Sequence, residues 1–73
     1  MSPSLPIVSG REVVSALAKV GFSEVSQRGS HLKLSNQAGM TVIVPMHREL
    51  ARGTLRSILR QADLTVEAFI ELL

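Results

Sequence analysis

The sequence predicts an α+β fold: a three-stranded antiparallel sheet with helices on one face, in the order α-β-β-β-α-α. Three observations carry this. Val13, Val14, Leu17 and Val20 recur at helical spacing behind a capping signal. The middle of the chain alternates apolar and polar residues in short runs separated by Gly-containing turns. Leu55, Ile58, Leu59 and Ala62, then Val66, Phe69, Ile70 and Leu73, return to helical spacing.

Met1 to Val8 reads as a tail, because Pro3 and Pro6 oppose regular structure. Residues 9–73 then form one domain. Ser9-Gly10-Arg11-Glu12 is a capping box, in which the Ser9 oxygen and the Glu12 carboxylate each satisfy an orphan N–H. Gly21 ends the first helix, and Phe22 folds back as core. Glu24 to Arg28 forms a first short strand around Val25, and Gly29-Ser30 is a tight turn. Leu32 and Leu34 alternate with His31, Lys33 and Ser35, which gives the second strand one apolar and one polar face. Asn36 to Gly39 supplies turn residues. Met40 to Val44 is a β-branched run ended by Pro45, the third strand of an antiparallel meander. Met46 to Gly53 is a loop. Thr54 caps a second helix, and Asp63-Leu64-Thr65 restarts the chain for a third. The helices cover one sheet face and leave the other open.

Bulk properties narrow the function. Seventy-three residues make a single domain with a small core, for which a partner is a reasonable expectation. An apolar content of 45% argues against disorder. The absence of cysteine excludes disulfides and thiolate chemistry. No apolar run approaches the ~18 residues of a membrane span, and Met1 to Ser9 lacks the features of a signal peptide, so the expected location is cytoplasmic. Residues 1–62 hold all eight Lys and Arg against Glu12, Glu24 and Glu49, while residues 63–73 hold only acids. A basic body with an acidic end suits a polyanion partner, though an ordinary solvated surface reads the same way. Phe22 and Phe69 are the only aromatic residues, so RNA binding by base stacking is excluded. Contacts to RNA would go through phosphates, sugar hydroxyls and shape.

Arg28-Gly29-Ser30-His31 is the chemical focus. Gly and Ser bend the backbone and leave amides uncovered. The histidine that follows sits at a strand end beside Arg28 and Lys33. Imidazole, with a reference pKa of about 6.5, exchanges a proton near neutrality. A small phosphodiester-cleaving site needs this arrangement. His31 and His47 are the only histidines, and an antiparallel second and third strand bring both to one end of the sheet. A metal site is the weakest reading, because two histidines without a spaced carboxylate make half a site. For His47, a structural bond to the loop backbone competes with a second acid–base role. For His31, an exposed strand residue of no special function competes with catalysis. Arg56 and Arg60 share a helical face opposite Leu55 and Leu59, with Arg52 one turn earlier, and read equally as a phosphate-tracking stripe or a solvated surface.

Several blocks together resemble the HicA toxins, small messenger-RNA interferases of bacterial toxin–antitoxin pairs. They are Val13 to Phe22, Gln27-Arg28-Gly29-Ser30-His31, Val42-Ile43-Val44-Pro45-Met46-His47, and Gly53-Thr54-Leu55-Arg56-Ser57-Ile58-Leu59-Arg60-Gln61-Ala62. The closing Leu64 to Leu73 matches as well, so the resemblance spans nearly everything after residue 8. It implies a fold like a double-stranded-RNA-binding domain and a catalytic histidine after the Gly-Ser pair, here His31. A second histidine often follows in the family; Leu32 stands there in this chain. The resemblance further implies a metal-independent endoribonuclease without a cofactor, held in check by a HicB-type antitoxin. Arg28, Gly29, Ser30, Lys33, Arg56 and Arg60 are the expected RNA contacts, and His47 the candidate auxiliary group. A non-catalytic RNA-binding module of the same fold is the alternative, and a pure protein-interaction domain docking through its apolar C-terminal helix is a third.

Overall fold

The computed structural model describes residues 4–73, so residues 1–3 of the expected tail lie outside the described residues. The order is α1 (Gly10–Ala18), β1 (Ser23–Arg28), β2 (His31–Ser35), β3 (Thr41–Pro45), α2 (Arg52–Gln61) and α3 (Val66–Glu71). The strands form one antiparallel sheet in the order β1-β2-β3. This is the predicted α+β arrangement, with an open three-stranded sheet.

The capping box at Ser9 is formed. Ser9 Oγ accepts from the Glu12 N–H at 3.0 Å, and Glu12 Oε1 accepts from the Ser9 N–H at 2.9 Å. Val8 and Val13 take the N′ and N4 positions of a hydrophobic staple, and both are buried. The end of α1 is equally explicit. Gly21 adopts φ +96°, the Phe22 N–H donates to the Leu17 carbonyl, and the Gly21 N–H to Ala18. This paired closure turns Phe22 back into the core, as expected. Regular α1 has already ended at Ala18, so Val20 does not extend the buried helical stripe and is 40% exposed.

Leu32 and Leu34 of β2 and Val42 and Val44 of β3 point inward, against Val13, Leu17, Leu55, Ile58 and Phe69 of the helices. His31, Lys33, Thr41 and Ile43 face out. The helices lie on one sheet face only, and they leave β1 exposed along its whole length. The stretch read as a tail has no regular secondary structure over residues 4–9, yet Leu5 and Val8 sink into the core. The Val8 carbonyl also accepts from the Leu50 N–H. Pro6 disfavours a helix or strand there; it does not prevent packing.

Two expectations about the helices need correction. Ala51, not Thr54, is the N-cap of α2, and no side chain caps that end. Three more residues after Ala51 already have helical backbone, so Thr54 lies inside the first turn. In α3, Thr65 accepts from the Ala68 N–H and starts the helix, but only Phe69 is fully buried. Ile70 and Leu73 of the expected apolar stripe are 37% and 50% exposed, because the face that meets the core runs through Val66, Phe69 and Leu72 and leaves them on its outer side.

Candidate functional site

The site is built by a turn. Gly29 and Ser30 form a two-residue hairpin loop, with φ +59° at Gly29 and no positive φ at Ser30. That sign pattern is the type II′ turn, which matches strand twist and requires glycine at its first position. A two-residue loop makes its flanking residues direct partners, so Arg28 pairs with His31. The register then continues across the sheet: Ser26 opposite Lys33, His31 opposite Pro45, and Lys33 opposite Ile43. On the outward face this gives two adjacent rows, Arg28–His31–Pro45 and Ser26–Lys33–Ile43. Directly opposed Cβ atoms stand about 4.5–5.5 Å apart in such a ladder.

Ser26, Arg28, His31, Lys33 and Ile43 line one open depression of about 330 Å³ on this face. His31 is exposed within it, between one guanidinium on β1 and one ammonium two residues along β2. None of the five lining residues is acidic, so the local field favours an anion beside the imidazole. The N–H groups of Gly29 and Ser30 donate to no backbone acceptor among the described residues and stay on the surface. Both amides are therefore available to an external acceptor beside a basic rim. Sequence reasoning missed Ser26 and Ile43. Strand alternation was the available signal, since Ser26 lies two residues from Arg28 and Ile43 stands between two inward-facing valines.

His47 follows β3 and is exposed at the same end of the sheet. Its Nε2 lies 3.4 Å from Ser30 Oγ, at the long limit of a hydrogen bond. Its backbone is pinned from two sides. The His47 carbonyl accepts from the Gly10 N–H at 2.9 Å, and the Met46 N–H donates to the Ser30 carbonyl at 2.6 Å. Gly10 itself is packed so closely on β3 that a Cβ there would fall 2.2 Å from the Pro45 oxygen. The first residue of α1, the β1–β2 turn and the end of β3 are thereby locked together. Gly10 is a supporting residue that sequence reading absorbed into the capping box, where any residue fits.

The structure places Arg28, His31 and Lys33 on the outward face, with the Gly29-Ser30 turn and His47 next to one another at the end of the sheet. It does not bring Arg56 and Arg60 there. Both are exposed on α2, with Arg52 at its first residue, and none of the three lines the depression. Two donor positions on the free edge of β3 are blocked: Gln61 Oε1 accepts from the Ile43 N–H at 3.2 Å, and Pro45 has no N–H to offer. Among the described residues, no group of three or more His, Cys, Asp or Glu side chains is placed to hold a metal ion, and no helix is long and apolar enough to cross a membrane.

Comparison with protein families places the chain against a known family model. The family model described as HicA toxin of bacterial toxin–antitoxin covers residues 10–64, from the first residue of α1 to just past α2, and includes every candidate site residue. A search of curated proteins returns no match.

Proposed function

The chain belongs to the HicA toxin family of bacterial toxin–antitoxin systems, and we propose that it acts as a toxin by cutting messenger RNA at the sheet face around His31. RNA carries its own nucleophile, the ribose 2′-OH. The protein has only to orient that group, move its proton and stabilise charge on the phosphate. His31 is the proton-transfer group, a role worth roughly 10²–10⁴-fold. The free amides of Gly29 and Ser30 donate to a non-bridging oxygen. Arg28 binds the same phosphate in a bidentate manner, and Lys33 adds point charge along the strand. Arg56 and Arg60 engage phosphates further along the strand of RNA. Since the attacking group belongs to the substrate, the reaction needs no metal or small-molecule cofactor.

The observation that carries this reading is the exposed His31 paired across the hairpin with Arg28, with Lys33 in the same depression and no acid beside it. An antitoxin of the HicB type would neutralise the chain by covering the His31 end of the sheet or by blocking RNA access to it. The expected place of action is the cytoplasm, where messages are translated.

The test is cleavage of a messenger RNA by purified protein in EDTA. His31→Ala should lose cleavage while its unfolding free energy stays within the change expected of an exposed substitution, about ±0.5 kcal/mol. A His31→Ala protein that still degrades RNA sinks the assignment. Wild type that binds RNA but never cuts it favours the non-catalytic RNA-binding alternative.

A further inference from the structure

We infer that His47 is the second acid–base group of the site, the general acid that protonates the leaving 5′-oxygen. The inference rests on the ribonuclease reading above. In a phosphoryl transfer the entering and leaving oxygens stand roughly in line, on opposite sides of phosphorus. One imidazole beside the 2′-oxygen is therefore badly placed to serve the 5′-oxygen in the same step. His47 does not line the depression; its ring lies beside Ser30, the residue that precedes His31 and whose N–H is one of the two free amides. His31 faces Pro45 across the ladder, and His47 is two residues beyond Pro45. Strand geometry puts the two histidine Cα atoms no more than about 12 Å apart, a span that two side chains and one phosphodiester close.

Its surroundings are those of a held, exposed group. The main chain at His47 is fixed by the Gly10 N–H on its own carbonyl and by the Met46 N–H to Ser30 one residue earlier. The ring is exposed, and its single polar side-chain contact, to Ser30 Oγ, is 3.4 Å long. A contact that long orients the ring weakly and yields to a better acceptor. Arg48 and Glu49 follow His47, and Arg52 opens α2, so the charges after the ring sum to one positive. The step balances. His31 takes the 2′-OH proton, the 2′-oxygen bonds to phosphorus, the bond from phosphorus to the 5′-oxygen breaks, and protonated His47 gives its proton to that oxygen. The products are a 2′,3′-cyclic phosphate and a 5′-hydroxyl.

The test uses an oligoribonucleotide containing one linkage that wild type cuts, and the same oligonucleotide with sulfur in place of the 5′-bridging oxygen. A thiolate leaves without a proton donor. His47→Ala should slow the oxygen substrate by about 10²-fold or more and the sulfur substrate by only a few-fold. His47→Gln, which keeps an amide near Ser30 but carries no titratable proton, should do the same. His31→Ala should lose both substrates. Equal losses on both substrates for the His47 variants would mean a structural latch, and undiminished cleavage of the oxygen substrate would mean no role; either overturns the assignment while leaving His31 in place. Wild type that cuts no linkage in any messenger RNA overturns the ribonuclease reading, and this assignment with it.

Discussion

Replacing Gly10 by alanine tests the junction on which the site is mounted. A Cβ at this position would lie 2.2 Å from the Pro45 oxygen and 2.9 Å from Met46 Cα. Both are backbone atoms, so no rotamer change relieves the overlap. Reaching an ordinary C···O contact requires α1 and the end of β3 to separate by roughly 1 Å. That displacement falls on the 2.9 Å bond from the Gly10 N–H to the His47 carbonyl, worth about 1 kcal/mol. Overpacking of this kind costs about 1–3 kcal/mol. Alanine returns about 0.5–1 kcal/mol through its better helix propensity. The net expectation is a loss of about 1–3 kcal/mol. For a domain of this size it lowers the melting temperature by roughly 5–20 °C. Gly53 is the internal control. It lies in the first turn of α2, has no positive φ, and has nothing within 4 Å of a built Cβ. Gly53→Ala should therefore gain about 0.5–1 kcal/mol. Thermal unfolding followed by far-UV circular dichroism reads both. A Gly10→Ala protein that melts at or above the wild-type temperature refutes the close-packed junction.

Other outcomes follow from packing and charge. Phe69→Ala empties a fully buried site and should cost about 3–5 kcal/mol, against a total of about 4–11 kcal/mol expected for this length. A loss below about 1 kcal/mol in urea unfolding would mean that α3, which lies beyond the matched residues 10–64, is no part of the core. Asp63 holds φ +57° at the end of α2, so Asp63→Gly should raise the urea midpoint by the equivalent of about 0.5–1 kcal/mol with an unchanged slope; a lower midpoint contradicts this. Replacing Arg56 and Arg60 by alanine should reduce the salt dependence of single-stranded RNA binding by about 0.7 in slope for each arginine. An unchanged slope would return both to the solvated surface.

Much of the architecture is local in origin, and that part was legible. The Ser9–Glu12 box, the Gly21 closure and the spacing of Leu55, Ile58, Leu59 and Ala62 each need only a few consecutive residues, and each appears in the structure. The illegible parts depend on partners distant in sequence. Leu5 and Val8 flank Pro6 and carry no periodicity, so nothing nearby announces that they join the core or that the Val8 carbonyl meets the Leu50 N–H. The start of α2 is set at Ala51 without any capping side chain, and Thr54 three residues later looks like a better cap than the residue the fold uses. Backbone geometry at the end of the loop decided the boundary, against side-chain preference.

The candidate site divides along the same line. Arg28 and His31 are neighbours because Gly29-Ser30 is a two-residue turn, and a turn of that length leaves no other pairing for its flanks. The pairing of the imidazole with the guanidinium is thus a property of four consecutive residues. Lys33 joins them by alternation alone. His47 is different. Its nearness to Ser30 requires the register of β2 against β3, and a slip of one residue would send every side chain of β3 to the opposite face. The Asn36–Gly39 turn permits more than one register when read as sequence. The burial of Val42 and Val44 beside Leu32 and Leu34 selects the one observed. The placement of the second histidine is therefore a consequence of the core, and substitutions that loosen β3 should disturb His47 before they disturb His31.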